Sequence, residues 1–443
     1  MDYRPFSYPD RAALEAELAA LGETLPLSED LSALARPLTV GGKMLNNRLA
    51  VQPMEGCDGE QNGAPSELTR RRYRRFAAGG AALIWEEATA VVPEGRANPR
   101  QLMLTPDTLD GFKAMVEEMR TVARKQRGID LFLVLQATHS GRYSKPEGAP
   151  APLIAYNNPV FEKEHPIDPA RIVSDEYLAA LPERYAATAR LAEEAGFDAV
   201  DVKCYHRYLL SELLSAYERP GRYGGDFDNR TRLYRECIEA TKAAVKDTMV
   251  TSRLNLYDGF PYPYGFGVSP AGGTEPDLAE PLRLVKQLHE ELGLALLDIT
   301  IGNPYVNPHV NRPYDRGGYP PPEHPLKGVA RMAACVSAAK HACPDLTILS
   351  SGNSYLRHLS PAFAAGMVAG GHTDLAGFGR EAFAYPDFAG DILEKGQMDP
   401  KKCCITCGKC TDLMRSGSMA GCVVRDTETY LPLYRRDVLK KED

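Results

Sequence analysis

From Leu49 onward the chain repeats one unit eight times: a short β-rich apolar run, a polar loop and a helical stretch. The apolar runs are residues 49–53, 81–90, 131–137, 197–203, 249–255, 294–300, 346–351 and 373–379. Between them lie segments such as SELTRRRYRRFAAGG and LDGFKAMVEEMRTVARKQRG, whose apolar residues recur at helical spacing. Eight strands, each followed by a helix, predict an α/β chain closed into a (β/α)8 TIM barrel. A doubly wound sheet usually carries a G-x-G-x-x-G after its first strand, and no strand here is followed by one. The repeat occupies residues 46–397, which leaves residues 1–45 as an N-terminal arm and 398–443 as a tail. In the arm Leu14, Leu18 and Leu21 form a helical stripe. Pro182 falls inside a helical segment and predicts a late start or a break there, because its ring removes an N–H and crowds the preceding turn.

Charge narrows the partners. The 52 Lys and Arg against 59 Asp and Glu give a net charge of −7, the wrong sign for nucleic acid or an anionic membrane. No window approaches the roughly 18 apolar residues of a membrane-spanning helix. The first residues lack a basic stretch followed by an apolar one, so no secretory signal is read and a cytoplasmic location is expected. TRRRYRR (69–75) reads as a solvated helix face.

In a TIM barrel the chemistry lies at the C-terminal ends of the strands. Those ends carry Gln136, Lys203 with His206 and Tyr208 just beyond, and Arg253. Glycines in SSGN (350–353) and GFGR (377–380) let backbone N–H groups approach a phosphate, with Arg380 adding charge. Two Tyr- and Pro-rich loops, 257–270 and 302–325, leave the same face and suit the walls of a flat, partly apolar ligand.

The tail carries its own signal. Of ten cysteines, five lie between Cys403 and Cys422, and Cys404-x2-Cys407-x2-Cys410-x11-Cys422 has the pitch of a metal site. Four thiolates at this spacing suit a [4Fe-4S] cluster or a structural zinc ion, with Cys403 the spare.

Taken in order, NNRLAVQPM (46–54), EATAVVPEGR (87–96), QATHSGR (136–142), FDAVDVKCYHRYLLSELLS (197–215), TSRLN (251–255), SSGN and GFGR resemble the old yellow enzyme family of FMN-dependent oxidoreductases. The resemblance covers residues 46 to about 395. It implies that Pro53, Met54 and Ala88 line the flavin and that Gln136 hydrogen-bonds its pyrimidine edge. Arg253 would sit beside N1 and C2=O, while Ser351, Gly352, Asn353, Gly379 and Arg380 would hold the phosphate. Lys203 stands where many relatives have His; with His206 it would hold a substrate carbonyl oxygen while Tyr208 delivers a proton. Glu55 replaces the Thr or Cys that contacts flavin C4=O in many relatives, with Cys57 two residues on.

The tail resembles the [4Fe-4S] site of the branch that includes trimethylamine dehydrogenase and 2,4-dienoyl-CoA reductase. The sequence ends 21 residues past Cys422, so their C-terminal nucleotide-binding domains are not expected. The donor is then NAD(P)H acting directly or a separate electron-transfer protein at the cluster, the latter being preferred. The expected reaction is reduction of the C=C bond of an α,β-unsaturated carbonyl or carboxylate, a small-molecule substrate. An amine dehydrogenase or demethylase and a Schiff-base, aldolase-like lyase using Lys203 are the alternatives. The sequence leaves a homo-oligomer open.

Overall fold

The computed structural model describes residues 5–440 apart from residue 164. A short antiparallel hairpin, β1 (Leu38–Val40) and β2 (Lys43–Leu45), precedes eight parallel strands. These are β3 (Leu49–Val51), β4 (Leu83–Ala90), β5 (Phe132–Thr138), β6 (Ala199–Val202), β7 (Met249–Asn255), β8 (Leu296–Thr300), β9 (Thr347–Ser350) and β10 (Leu375–Phe378). They close in chain order, with β10 pairing β3 through Ala376 opposite Leu49 and Phe378 opposite Val51. All eight expected strands form, and the fold is the (β/α)8 barrel.

The barrel interior is layered. Ala50, Leu83, Trp85, Phe132, Val134, Ala199, Leu296, Leu349 and Leu375 pack into one apolar cluster with Val40 and Leu45 of the hairpin. Burying each large side chain there is worth roughly 1.5–3 kcal/mol. The arm helix Arg11–Ala20 is capped by Asp10, whose side chain accepts from Ala13 N–H at 2.9 Å, and it buries Leu14 and Leu18. In β4 the register shifts between Trp85 and Ala88, which sets Ala88 opposite Gln136. Among the described residues no helix is long and apolar enough to cross a membrane.

Two expectations need correction. The helix Asp175–Ala195 runs unbroken through Pro182. One backbone hydrogen bond is lost there, but the helix is capped by Ser174 and buries Leu178, Leu181 and Tyr185, so packing outweighs the local cost. The basic run is also no free solvated face. On the helix Glu67–Ala78, Arg72 is buried between Asp58 and Glu87, each at 2.7 Å, and Arg70 and Arg74 share Glu118. Arg71 and Arg75 both hold Asp426 of the tail, Arg71 with paired contacts of 2.8 and 3.0 Å. Further joints fix the tail: Ala420 N–H donates to Gly56 at 2.6 Å, Arg100 reaches Gly417 O at 2.7 Å, and Arg312 reaches Thr411 Oγ1 at 2.7 Å.

Candidate active site

At the strand ends opens a cavity. Pro53, Met54, Ala88, Gln136, Lys203, His206, Tyr208, Arg253, Ser351, Gly352, Gly379 and Arg380 all line it. Of the residues expected at the site, Asn353 stands apart from the lining, its Nδ2 donating to Gly377 O at 2.7 Å. Gly352 adopts φ +89°, which a side chain would strain, and a Cβ on Gly379 would meet Met54 Sδ at 3.0 Å.

The floor is a polar network that the sequence only hinted at. Asp201 accepts from Trp85 Nε1 at 2.8 Å, Gln136 Nε2 at 2.7 Å and Arg253 N–H at 2.8 Å. Asp298 accepts from Gln52 Nε2 at 2.9 Å and pairs with Arg253 Nε at 2.8 Å. Burial nevertheless pushes the carboxyls up, Asp201 to about 6 and Asp298 to about 7. Arg253 therefore carries the barrel ion pair as well as facing the cavity, and Asp298 offsets part of its charge. Gln136 is likewise engaged, its Oε1 accepting from Tyr205 Oη at 3.2 Å. Asp201, Tyr205 and Asp298 were not singled out from sequence. The available signal was a carboxylate inside apolar strands buried on both faces, in FDAVDVK and LALLDIT.

One wall carries Lys203, His206 and Tyr208. His206 and Arg207 both take positive φ, +66° and +53°, in the turn after β6. That turn is anchored by Arg207, which pairs with Asp258 at 2.6 Å in full burial. Lys203 Nζ lies 3.8 Å from the Tyr208 ring centroid and 4.6 Å from that of Tyr205, a cation over two aromatic faces. Burial lowers Lys203 to about 7, while the nearby Glu55 carboxylate favours its charge. Glu55 also lines the cavity; burial raises it to about 7 against the pull of Lys203, and Asn98 donates to its Oε1 at 2.8 Å. A carboxyl of that pKa is largely protonated below neutrality and can then donate to a carbonyl. Burial and the cations Lys203, Arg253 and Arg312 push His206 well below its usual range, so it is neutral.

The far end is cationic. Arg312, Arg380 and Arg415 line the cavity, and burial together with Arg380 lowers Arg312 to about 10. Arg312 Nε and Arg380 Nη1 are buried without a hydrogen-bond partner among the described residues. These two free guanidinium nitrogens, in the cavity that Ser351, Gly352 and Gly379 also line, fit the phosphate of an FMN. Arg312 and Arg415 were missed because one lies in a loop and the other in the tail.

Cys410, Thr411, Met414 and Ala420 of the tail wall the same cavity. Beside it Cys403, Cys404, Cys407, Cys410 and Cys422 line a second, smaller one, all five as free thiols. Cys404 Sγ accepts from Thr406 N–H at 3.4 Å. Such N–H···S bonds stabilise ligating thiolates. Cys403 differs: it is fully buried and its Sγ points to Asp399 O at 3.4 Å. Burial pushes the Cys404 thiol up, and that of Cys422 to about 11, so metal loading must displace protons. Among the described residues no group of three or more His, Cys, Asp or Glu converges as on a single metal ion.

Known proteins share this fold. The NADPH dehydrogenase of Bacillus subtilis is 29% identical over 277 residues, 61% of this chain and 73% of that protein. That of Clostridium acetobutylicum is 28% identical over 236 residues, 52% of this chain and 66% of its own length. Among solved structures, a 2-naphthoyl-CoA reductase complex superposes with a TM-score of 0.73 at 19% identity, over 89% of this chain and 57% of its own. Histamine dehydrogenase from Rhizobium sp. 4-9 gives 0.67 at 21%, over 89% and 52%. The old yellow enzyme homologue of Zymomonas mobilis gives 0.62 at 19%, over 83% and 94%. The chain thus spans little more than half of the two longer structures, and at these identities the superpositions speak for the fold. Residues 33–300, more than half of the chain, match the sequence profile of one family, and on that match the chain belongs to the NADH:flavin oxidoreductase / NADH oxidase family.

Proposed function

We propose that the protein is an FMN- and [4Fe-4S]-dependent oxidoreductase that reduces the C=C bond of an α,β-unsaturated carbonyl or carboxylate. The observation that carries this reading is the wall of Lys203, His206 and Tyr208 around one cavity whose far end is cationic. Bound FMN supplies the hydride for the β-carbon. Pro53, Met54, Ala88, Gln136 and Arg253 would hold its ring, and Ser351, Gly352, Gly379, Arg380 and Arg312 its phosphate. Lys203 as a point charge and neutral His206 as an N–H donor hold the substrate oxygen, where negative charge builds. Tyr208, whose pKa burial raises well above the ordinary range, keeps its proton at neutral pH and gives it to the α-carbon.

The four tail cysteines would hold the cluster; the N–H···S bond to Cys404 and the turn of Cys403 Sγ toward Asp399 O support that choice over Cys403. Electrons reach the site from NAD(P)H or through a carrier protein docking by the tail. The barrel at 46–397, with its arm and its cysteine tail, is the functional unit in this reading. An amine dehydrogenase would need an aromatic cage open to a cation, yet Lys203 already occupies the faces of Tyr205 and Tyr208. A lowered Lys203 also suits a Schiff base; borohydride trapping of a carbonyl compound on Lys203 would expose that chemistry.

The test is anaerobic purification followed by a screen of enones and enoates against chemically reduced protein. Iron and FMN should appear in a ratio of about four to one, and at least one acceptor should reoxidise the flavin. A colourless protein containing zinc would overturn the proposal.

A further inference from the structure

The Tyr208 hydroxyl bonds to the hydroxyl of Tyr305 at 2.9 Å. Tyr305 leaves β8 on the long loop 302–325 and is fixed there from two sides. Its N–H donates to Asn303 Oδ1 at 2.8 Å, and its ring stacks on Tyr143 with centroids 3.8 Å apart and planes 14° apart. Asn303 Nδ2 in turn donates to the Tyr143 hydroxyl at 2.8 Å, so one amide sets both rings. Exposure separates the two residues: Tyr208 is 1% exposed and Tyr305 37%.

A buried phenol that has given its proton to carbon is left as a phenolate, which burial disfavours. Lys203 Nζ, 3.8 Å from the Tyr208 ring centroid, eases that charge from over the ring face, while the hydrogen bond of the hydroxyl runs to Tyr305. We propose that Tyr305 relays protons from water to Tyr208, recharging it between turnovers. This inference rests on the reading of Tyr208 as the proton donor. No electrons move through the tyrosines. The Tyr208 O–H breaks as the substrate α-C–H forms. Tyr208 O–H re-forms as that of Tyr305 breaks, and Tyr305 takes a proton from water, leaving hydroxide to the buffer. The hydride for the β-carbon comes from reduced FMN.

The test uses holoprotein reduced anaerobically with dithionite and mixed with 2-cyclohexenone, or with the best acceptor of the screen. In Tyr305→Phe the first reoxidation should stay within about two-fold of wild type, because Tyr208 still starts with its proton. Later turnovers should slow by roughly ten-fold or more, with tyrosinate ultraviolet absorbance accumulating and a larger solvent deuterium isotope effect. Tyr305→His, which still carries a transferable proton, should recover the later turnovers. Unchanged later turnovers without a tyrosinate signal overturn the relay. A first turnover slowed as much as the later ones also overturns it, since Tyr305 would then only position Tyr208. Wild-type first-turnover kinetics in Tyr208→Phe would overturn the donor assignment beneath it.

Discussion

Replacing Asp426 with Asn keeps its shape and removes the charge that Arg71 and Arg75 share. The carboxylate is nearly buried, with 6% of its side chain exposed, while each arginine is 35% exposed. Burial alone would raise its pKa, yet the two arginines hold it below the usual carboxylate range. An exposed pair contributes about 0.2–1 kcal/mol, and the paired geometry of Arg71 adds to that. Discounting for the half-open arginines, Asp426→Asn should weaken tail docking by about 1–2 kcal/mol, a rise of roughly 5- to 30-fold in undocked tail. Hydrogen exchange in Lys409–Arg415 and Thr427–Leu433 reads that population directly. Arg70→Ala is the control, since Arg70 pairs with Glu118 and not with the tail. The same clamp has a definite pH sign: its contribution is complete above the unfolded pKa of about 4 and fades as pH falls through the lower folded value. Tail exchange in Asp426→Asn within two-fold of wild type would refute the clamp.

Other expectations bear on the site. Tyr208→Phe should keep its FMN and its reduction but slow reoxidation by an unsaturated acceptor by roughly two to four orders of magnitude in stopped flow. Enoate binding should weaken above pH 7 by up to about ten-fold per pH unit from the loss of charge on Lys203, and more steeply where Glu55 gains its charge over the same range. Lys203→Arg should flatten that slope in a titration of Kd against pH, as a guanidinium stays charged. Cys410→Ser should lose most of its iron by metal analysis, whereas Cys403→Ser should retain it.

The barrel was legible because parallel strands buried on both faces must be apolar runs, and eight such runs in order leave little alternative. Site residues on or beside those strand ends, such as Gln136, Lys203 and Arg253, were equally legible, since their place follows from the repeat. Arg312, Arg415 and Tyr305 were not, because loops and tail reach the cavity by tertiary packing that no period encodes. The basic run misled for the same reason: the partner of Arg71 and Arg75 lies 351 to 355 positions away. Pro182 misled because a local propensity was outweighed by the face its helix buries.

That distance between Arg71 and Asp426 also has a meaning in time. A ribosome adding roughly 5–20 residues per second needs roughly 20–70 s to go from one to the other. Throughout that interval Arg71 and Arg75 wait without their counter-charge, and β3 waits for β10 over most of it. The cavity wall made by Cys410, Thr411, Met414, Arg415 and Ala420 thus emerges only after all eight barrel strands have been made. A nascent chain halted before Cys404 would already carry all eight strands of the barrel and lack this wall of the cavity.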